Sequence, residues 1–139
     1  RSASLAHVIP RSAIVRRRPI HGLDIDPARA YIAALDEEPL PGAALHWSNP
    51  ESATIRASID PEQAISVQAS YDPGWQATAN GIELPVHADA LGQILIEPTC
   101  TGNCTIDLKF TGGPERQICS LISIATALIL LAMLISNRP

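Results

Sequence analysis

Two carboxylates one residue apart, Asp24 and Asp26, form a pattern in this sequence that could do chemistry. Hard oxygen ligands at this spacing can hold Mg²⁺ or Mn²⁺ on the diphosphate of a nucleotide sugar. The pair also has a structural interpretation, because Asp26 precedes Pro27 at the expected start of a helix and can cap it. We favour the structural interpretation, and we predict no catalytic residue, no cofactor site and no metal site in this chain.

The histidines and serines show no catalytic spacing. His7, His21, His46 and His87 are scattered, without a second ligand at the spacing of a zinc motif. The sequence also lacks the G-x-S-x-G elbow of serine hydrolases and a glycine-rich phosphate loop. Enzymatic activity is therefore neither indicated nor excluded by these residues.

Two cysteines and two tryptophans are the remaining candidate site residues. Cys100 and Cys104 bracket a short turn, where they form either a disulfide, if the domain lies outside the cytoplasm, or two free thiols. Trp47 and Trp75 can stack on sugar rings, so both are candidate glycan contacts. The alternative is that both tryptophans belong to the core of a small β domain.

The net charge of the chain bears on which classes of partner it can bind. The chain has 14 acidic and 10 basic residues, a formal net charge of −4, which argues against nucleic acid as a partner. Arg16 to Arg18 form a short basic run. Such a run is either solvated surface or a contact for phosphate or lipid headgroups.

The C-terminal segment predicts a transmembrane helix. Ile118 to Ile135 contains no charge, glycine or proline, and eighteen helical residues span about 27 Å, close to the hydrocarbon thickness of a bilayer. Arg116 and Arg138 flank the run, where each can reach headgroups. Ser120, Ser123 and Ala127 share one helix face, which either packs on other membrane helices or is merely tolerated in lipid. The lipid bilayer is thus the first predicted partner.

The elements before this segment predict a mainly β domain with one helix. Pro27 to Leu35 has the composition of a short helix. Ala53 to Ile59 and Ala64 to Tyr71 alternate apolar and polar residues as half-buried strands do. Asn80-Gly81 predicts a hairpin, and Ile94 to Glu97 is expected to pair with Thr105 to Phe110. We predict an antiparallel β-sandwich-like domain over residues 1–115 and the transmembrane helix with a short tail over residues 116–139.

The segment Tyr71-Asp72-Pro73-Gly74-Trp75, followed by Asn80-Gly81 and Leu84-Pro85-Val86, resembles the C-terminal domain of the YfhO-like bacterial polytopic membrane proteins. Upstream, Ile9-Pro10-Arg11-Ser12-Ala13 is similar to that family's L-P-R-A strand. The family's Y-x-P after the late strand is absent, since Phe110-Thr111-Gly112-Gly113-Pro114 stands there.

The resemblance implies a parent protein grouped with glycosyltransferases that use lipid-linked sugars. It implies a domain in the periplasm or on the cell exterior of a bacterium, with the C-terminus in the cytoplasm. Expected partners are the remaining transmembrane helices of the parent and a glycan or polyprenyl-linked sugar. Because Arg1 stands first and no signal peptide is evident, we expect a fragment that serves as an accessory domain and last membrane span. The alternative is a membrane-anchored, non-catalytic module that binds a glycan or a protein.

Overall fold

The computed structural model describes residues 5–36 and 42–136, except for the side chains of residues 114–117, 134 and 136. The strands in that part of the chain are β1 (Ala6–Pro10), β2 (Ala43–Asn49), β3 (Ser52–Ile59), β4 (Gln63–Ser70), β5 (Trp75–Ala79), β6 (Ile82–Leu84), β7 (Val86–Ala88), β8 (Gln93–Ile96) and β9 (Gly102–Phe110). The helices are α1 (Arg29–Asp36) and α2 (Gly113–Ser136), and 3-10 turns lie at Arg11–Ala13 and Asp26–Ala28.

The strands form two antiparallel sheets that share one core. The smaller sheet has the order β1-β4-β8-β7 and the larger sheet the order β2-β3-β9-β5-β6. Apolar side chains of both sheets meet in one cluster, in which Ile55, Ile65, Ile94 and Ile106 are fully buried. The structure thus confirms the predicted mainly β domain with antiparallel sheets and one short helix.

A third layer covers the outer side of the smaller sheet. Ile9, Leu95 and Tyr31 meet there in a second cluster that joins α1 to β1 and β8. The alternation predicted for β3 is confirmed, but that for β4 fails at Ser66, which is 1% exposed. The reason is tertiary, because α1 lies over that side of β4 and the Tyr31 hydroxyl is 3.1 Å from the Ser66 hydroxyl.

The predicted pairing of Ile94 to Glu97 with Thr105 to Phe110 is wrong. β8 belongs to the smaller sheet, whereas β9 pairs with β3 and β5 in the larger one. The connection after β8 therefore crosses from one sheet to the other. β9 pairs with β3 over residues 102–109 and with β5 over residues 106–110, so residues 106–109 have a paired strand on both sides.

Two local turn predictions have different outcomes. The Asn80-Gly81 hairpin is confirmed, since it joins β5 to β6 with φ values of 52° and 79° at the two residues. Asp26 does not cap a helix with its side chain. Instead it lies within the 3-10 turn, and its Oδ1 accepts a hydrogen bond of 2.7 Å from Arg29.

α2 continues directly from the larger sheet. Only Thr111 and Gly112 separate it from β9, and it begins at Gly113, inside the region predicted as the β domain. The predicted membrane segment from Ile118 to Ile135 lies within α2 and includes Leu134, whose side chain is outside the described part. Among the described residues, no helix meets the length and hydropathy required for crossing a membrane.

Candidate functional site

The Pro-Gly-Trp turn lies at the junction between the β domain and α2. The Gly74 carbonyl accepts hydrogen bonds from the Thr111 amide, at 2.8 Å, and from the Thr111 hydroxyl, at 3.0 Å. Asp72 supports the turn, because its Oδ1 accepts from the Gly74 amide at 2.8 Å and its carbonyl accepts from the Trp75 amide at 3.0 Å. Together these bonds tie the turn before β5 to the segment that leads into α2.

The backbone of Gly74 lies so close to Gly113 and Phe110 that a side chain at this position would collide with them. A Cβ at this position would lie 2.6 Å from the Gly113 amide nitrogen and 2.6 Å from the ring of Phe110. Real Cβ atoms essentially never come that near to other atoms. The glycine is therefore needed for contact with the first residue of α2, and the helix leaves the domain through a packed junction.

The two tryptophans come together beside this junction. The ring centroids of Trp47 and Trp75 are 5.9 Å apart in an edge-to-face arrangement, and Phe110 extends the cluster at 5.2 Å from Trp75. All three side chains are half-buried, and both tryptophans pack against the core. Sequence reasoning missed Phe110, because its neighbourhood follows from the β5–β9 register that pairs it with Trp75.

Cys100 and Cys104 are joined in a disulfide with a Cα–Cα distance of 6.2 Å. Cys104 is buried on β9, while Cys100 lies in the connection that crosses from β8. The bond therefore pins the crossover to the larger sheet. Cys119 in α2 is a free, exposed cysteine.

The structure gives Asp24 and Asp26 different partners. Asp24 accepts hydrogen bonds from the Ile20 amide, at 3.0 Å, and from the Arg17 guanidinium, at 3.0 Å. These bonds, the Ile20 amide first, lower the pKa of Asp24 below its ordinary value of 3.8. Asp26 pairs with Arg29. The described residues contain no group of three or more side chains suited to hold a metal ion.

A shallow concavity of about 400 Å³ lies between the segment after β1 and the β7–β8 turn. Its polar lining includes Arg16, His87 and Asp89. Beside it, Glu97 bridges Arg11 and His87, whose Nε2 is 3.3 Å from a Glu97 oxygen. Every buried side-chain polar atom in the described residues has a hydrogen-bond partner. The residues that line the concavity include no serine, threonine, cysteine or lysine that His87 could activate as a nucleophile.

Comparisons of the chain with protein-family models, curated proteins and solved structures find no match.

Proposed function

We propose that the β domain before α2 is a non-catalytic accessory domain outside the cytoplasm, and that α2 anchors this domain in a membrane. The observation that supports the anchor best is the surface of α2. The described large apolar side chains of α2 between Leu121 and Ile135 are 55% to 68% exposed. Contiguous apolar surface of that extent is typical of contact with a membrane or a partner. The helix is about 36 Å long, enough to match a hydrocarbon layer of about 30 Å.

Two hydroxyl groups of α2, those of Ser123 and Thr126, are satisfied within the helix. Ser123 donates to the Cys119 carbonyl at 2.8 Å, and Thr126 donates to the Ile122 carbonyl at 2.9 Å. Such bonds to the preceding turn remove the need for water as a partner. They support the anchor, because a polar group without a partner is costly in hydrocarbon.

A second part of the proposal is that α2 is the last span of a larger membrane protein. The small residues Ser120, Ser123 and Ala127 on one face would let another helix approach closely. The resemblance of the Pro73-Gly74-Trp75 region to YfhO-like proteins points to the same arrangement. In such a parent, related to lipid-linked-sugar glycosyltransferases, this domain would cap the membrane part and contribute no catalytic group.

Membrane anchoring is tested by expressing the full chain and extracting the membranes with alkaline carbonate. We expect the wild type to stay with the membrane. Leu128→Arg places a charge near the centre of the apolar run, which disfavours insertion by about 3 kcal/mol, and should release a large fraction. Ile82→Arg is the matched control, because Ile82 is 64% exposed on β6 and its replacement should change nothing. Release of the wild type, or equal behaviour of both variants, would contradict the anchor.

Placement of the domain outside the cytoplasm is tested through Cys100 and Cys104. Cells are quenched with acid, and free thiols are then labelled with a maleimide of high mass. We expect one label per chain, on Cys119 alone, because the other two cysteines are oxidised in an extracytoplasmic domain. Three labels per chain would contradict this location.

The relation to a glycosyltransferase is tested by the gene sequence upstream of Arg1. Several hydrophobic spans with an acidic residue in the first outer loop would support it. A single signal peptide directly before the domain would refute it and leave a membrane-anchored binding module.

The second candidate function is glycan binding, which the half-exposed cluster of Trp47, Trp75 and Phe110 supports. The full chain in detergent micelles is titrated with oligosaccharides while tryptophan fluorescence is recorded. Binding at the cluster should shift the emission, and Trp47→Ala should weaken the affinity with Trp75 as the remaining reporter. No shift in the wild type, or an unchanged affinity in Trp47→Ala and Trp75→Ala, would count against this function.

A further inference from the structure

The loop from Arg16 to Ile25, called loop 16–25 below, combines basic and apolar residues on an exposed surface. Arg16, Arg17 and Arg18 are all exposed. Ile20 is 81% exposed and Leu23 is 88% exposed, more than any other large apolar side chain in the described residues. Isolated apolar residues on a surface need no explanation, but two at the tip of a basic loop suggest a specific contact.

Asp24 gives loop 16–25 a defined shape. Its carboxylate holds the Arg17 guanidinium and the Ile20 amide, and its own amide donates to the His21 carbonyl at 3.0 Å. The Arg17–Asp24 pair is neutral overall. Arg16 and Arg18 form no ion pair with another described residue, so they carry the positive charge of the loop.

Loop 16–25 begins at the end of the domain from which α2 leaves. Val15, just before the loop, accepts a hydrogen bond of 2.9 Å from Ala90 in the β7–β8 turn. The Gly92 carbonyl in the same turn accepts a hydrogen bond of 2.9 Å from the amide of Tyr71, which begins the segment that carries Gly74. Gly74 in turn contacts the start of α2. The start of the loop, the β7–β8 turn and the helix exit therefore belong to one end of the sandwich.

We propose that loop 16–25 docks on the surface of the bilayer that α2 enters, with Arg16 and Arg18 on anionic lipid headgroups and with Ile20 and Leu23 in the interfacial layer. This inference rests on the proposed membrane anchor. Charge complementarity favours a lipid surface, because arginines near an anionic leaflet are attracted to it and interfacial segments bury apolar side chains at headgroup depth. The formal net charge of the chain is −4, so the loop is a local basic exception.

The contact between Gly74 and Gly113 links the docking of loop 16–25 to the position of α2. Because Gly74 and Gly113 hold α2 against the domain, the loop and the helix meet the bilayer as one unit. Two contacts would then set the tilt of the domain on the membrane. In the multi-spanning parent, the loop would restrain the domain at a fixed height above the other helices.

The test uses the full chain reconstituted into vesicles, with an environment-sensitive fluorophore on single cysteines. In a Cys119→Ser background, Gly22→Cys puts the fluorophore at the loop tip, where an added Cβ meets nothing within 4 Å. Glu62→Cys in the same background labels the β3–β4 turn at the opposite end of the domain. The native Cys119 labels α2. The vesicles contain phosphatidylcholine alone, or equal parts of phosphatidylcholine and phosphatidylglycerol, with a doxyl quencher near the top of the acyl chains.

We expect strong quenching at Gly22→Cys and at Cys119, and none at Glu62→Cys. Quenching at the loop should increase in the vesicles with phosphatidylglycerol. Arg16→Ala with Arg18→Ala should lower the ratio of docked to undocked loops about fivefold per arginine and remove the dependence on anionic lipid. Arg56→Ala, an exposed charge on β3, is the control and should leave the quenching unchanged.

Two results would overturn the inference, and they are distinguishable. If the Cys119 fluorophore is quenched but the Gly22→Cys fluorophore behaves as that at Glu62→Cys does, the anchor stands and the loop does not touch the membrane. If the Cys119 fluorophore is not quenched, the anchor itself fails and the docking fails with it. Quenching of the loop that is indifferent to Arg16→Ala with Arg18→Ala would refute the role of the arginines.

Discussion

Gly74→Ala tests whether the Pro-Gly-Trp turn locks α2 to the domain. The added Cβ would stand 2.6 Å from the Gly113 nitrogen and from the Phe110 ring, about 0.8 Å short of the 3.4 Å at which ordinary contact begins. One of these neighbours is backbone that the Gly74–Thr111 hydrogen bonds hold in place. The turn must therefore shift, which costs about 1–3 kcal/mol by analogy with overpacked sites.

The measurement is thermal unfolding of the full chain in detergent, followed by near-ultraviolet circular dichroism of the tryptophans. A loss of this size should lower the midpoint by about 4 to 15 °C in a domain of roughly this length. The near-ultraviolet signal of the folded variant should also change, because Trp75 follows the turn directly and contacts Phe110.

Gly22→Ala is the matched control for this substitution. A Cβ at Gly22 meets nothing within 4 Å, so its replacement should be neutral or should stabilise the fold by about 0.5 kcal/mol through the unfolded chain. If Gly74→Ala unfolds at the temperature of the wild type, or if both variants lose the same stability, the packed junction is refuted.

Three further predictions concern the Tyr31 hydroxyl, the Cys100–Cys104 disulfide and the Asp24 carboxylate. Tyr31→Phe removes a hydroxyl that lies 3.1 Å from the buried Ser66 hydroxyl and 3.1 Å from Oε1 of Gln93. The free energy of unfolding, measured in urea titrations, should fall by about 1 kcal/mol, and an unchanged value would contradict a stabilising role of these bonds. Reduction of the Cys100–Cys104 disulfide, measured in a Cys119→Ser chain with and without dithiothreitol, should cost about 2 kcal/mol for so short a loop, and equal midpoints would contradict a stabilising bond. Asp24 has a lowered pKa, so its contribution to loop order is present above the unfolded pKa and is lost as pH falls through the folded value. The Ile20 amide resonance should therefore titrate with a midpoint below 3.8 and should not do so in Asp24→Asn, while a midpoint at or above 3.8 would contradict the hydrogen bonds to Asp24.

Local patterns in the sequence determined most of the secondary structure. The alternation of Ala53 to Ile59 predicts a half-buried strand, and Asn80-Gly81 predicts the hairpin because both residues tolerate positive φ. The Pro73-Gly74-Trp75 turn also stands out without a structure. These features depend on neighbours in the chain, so periodicity and turn chemistry are sufficient to find them.

Tertiary structure alone decided which elements meet. Ser66 looks like a solvent-facing residue of an alternating strand, yet α1 packs over it and Tyr31 satisfies its hydroxyl. β8 and β9 follow one another but lie in different sheets, because β9 pairs with β3 over residues 102–109 and with β5 over residues 106–110. Partners in a sheet can be distant in sequence, and no local signal specifies them.

The candidate sites likewise combine features that the sequence shows with contacts that only the tertiary structure shows. The sequence by itself determined the basic run of loop 16–25 and the apolar composition of α2, since charge and hydropathy are properties of the residues. Only the fold decided that Trp47, Trp75 and Phe110 form one cluster, and that Asp24 binds Arg17 and the Ile20 amide. The sequence also does not show why glycine is required at position 74. The fold shows it, because the β5–β9 register brings the turn before β5 within contact distance of Gly113.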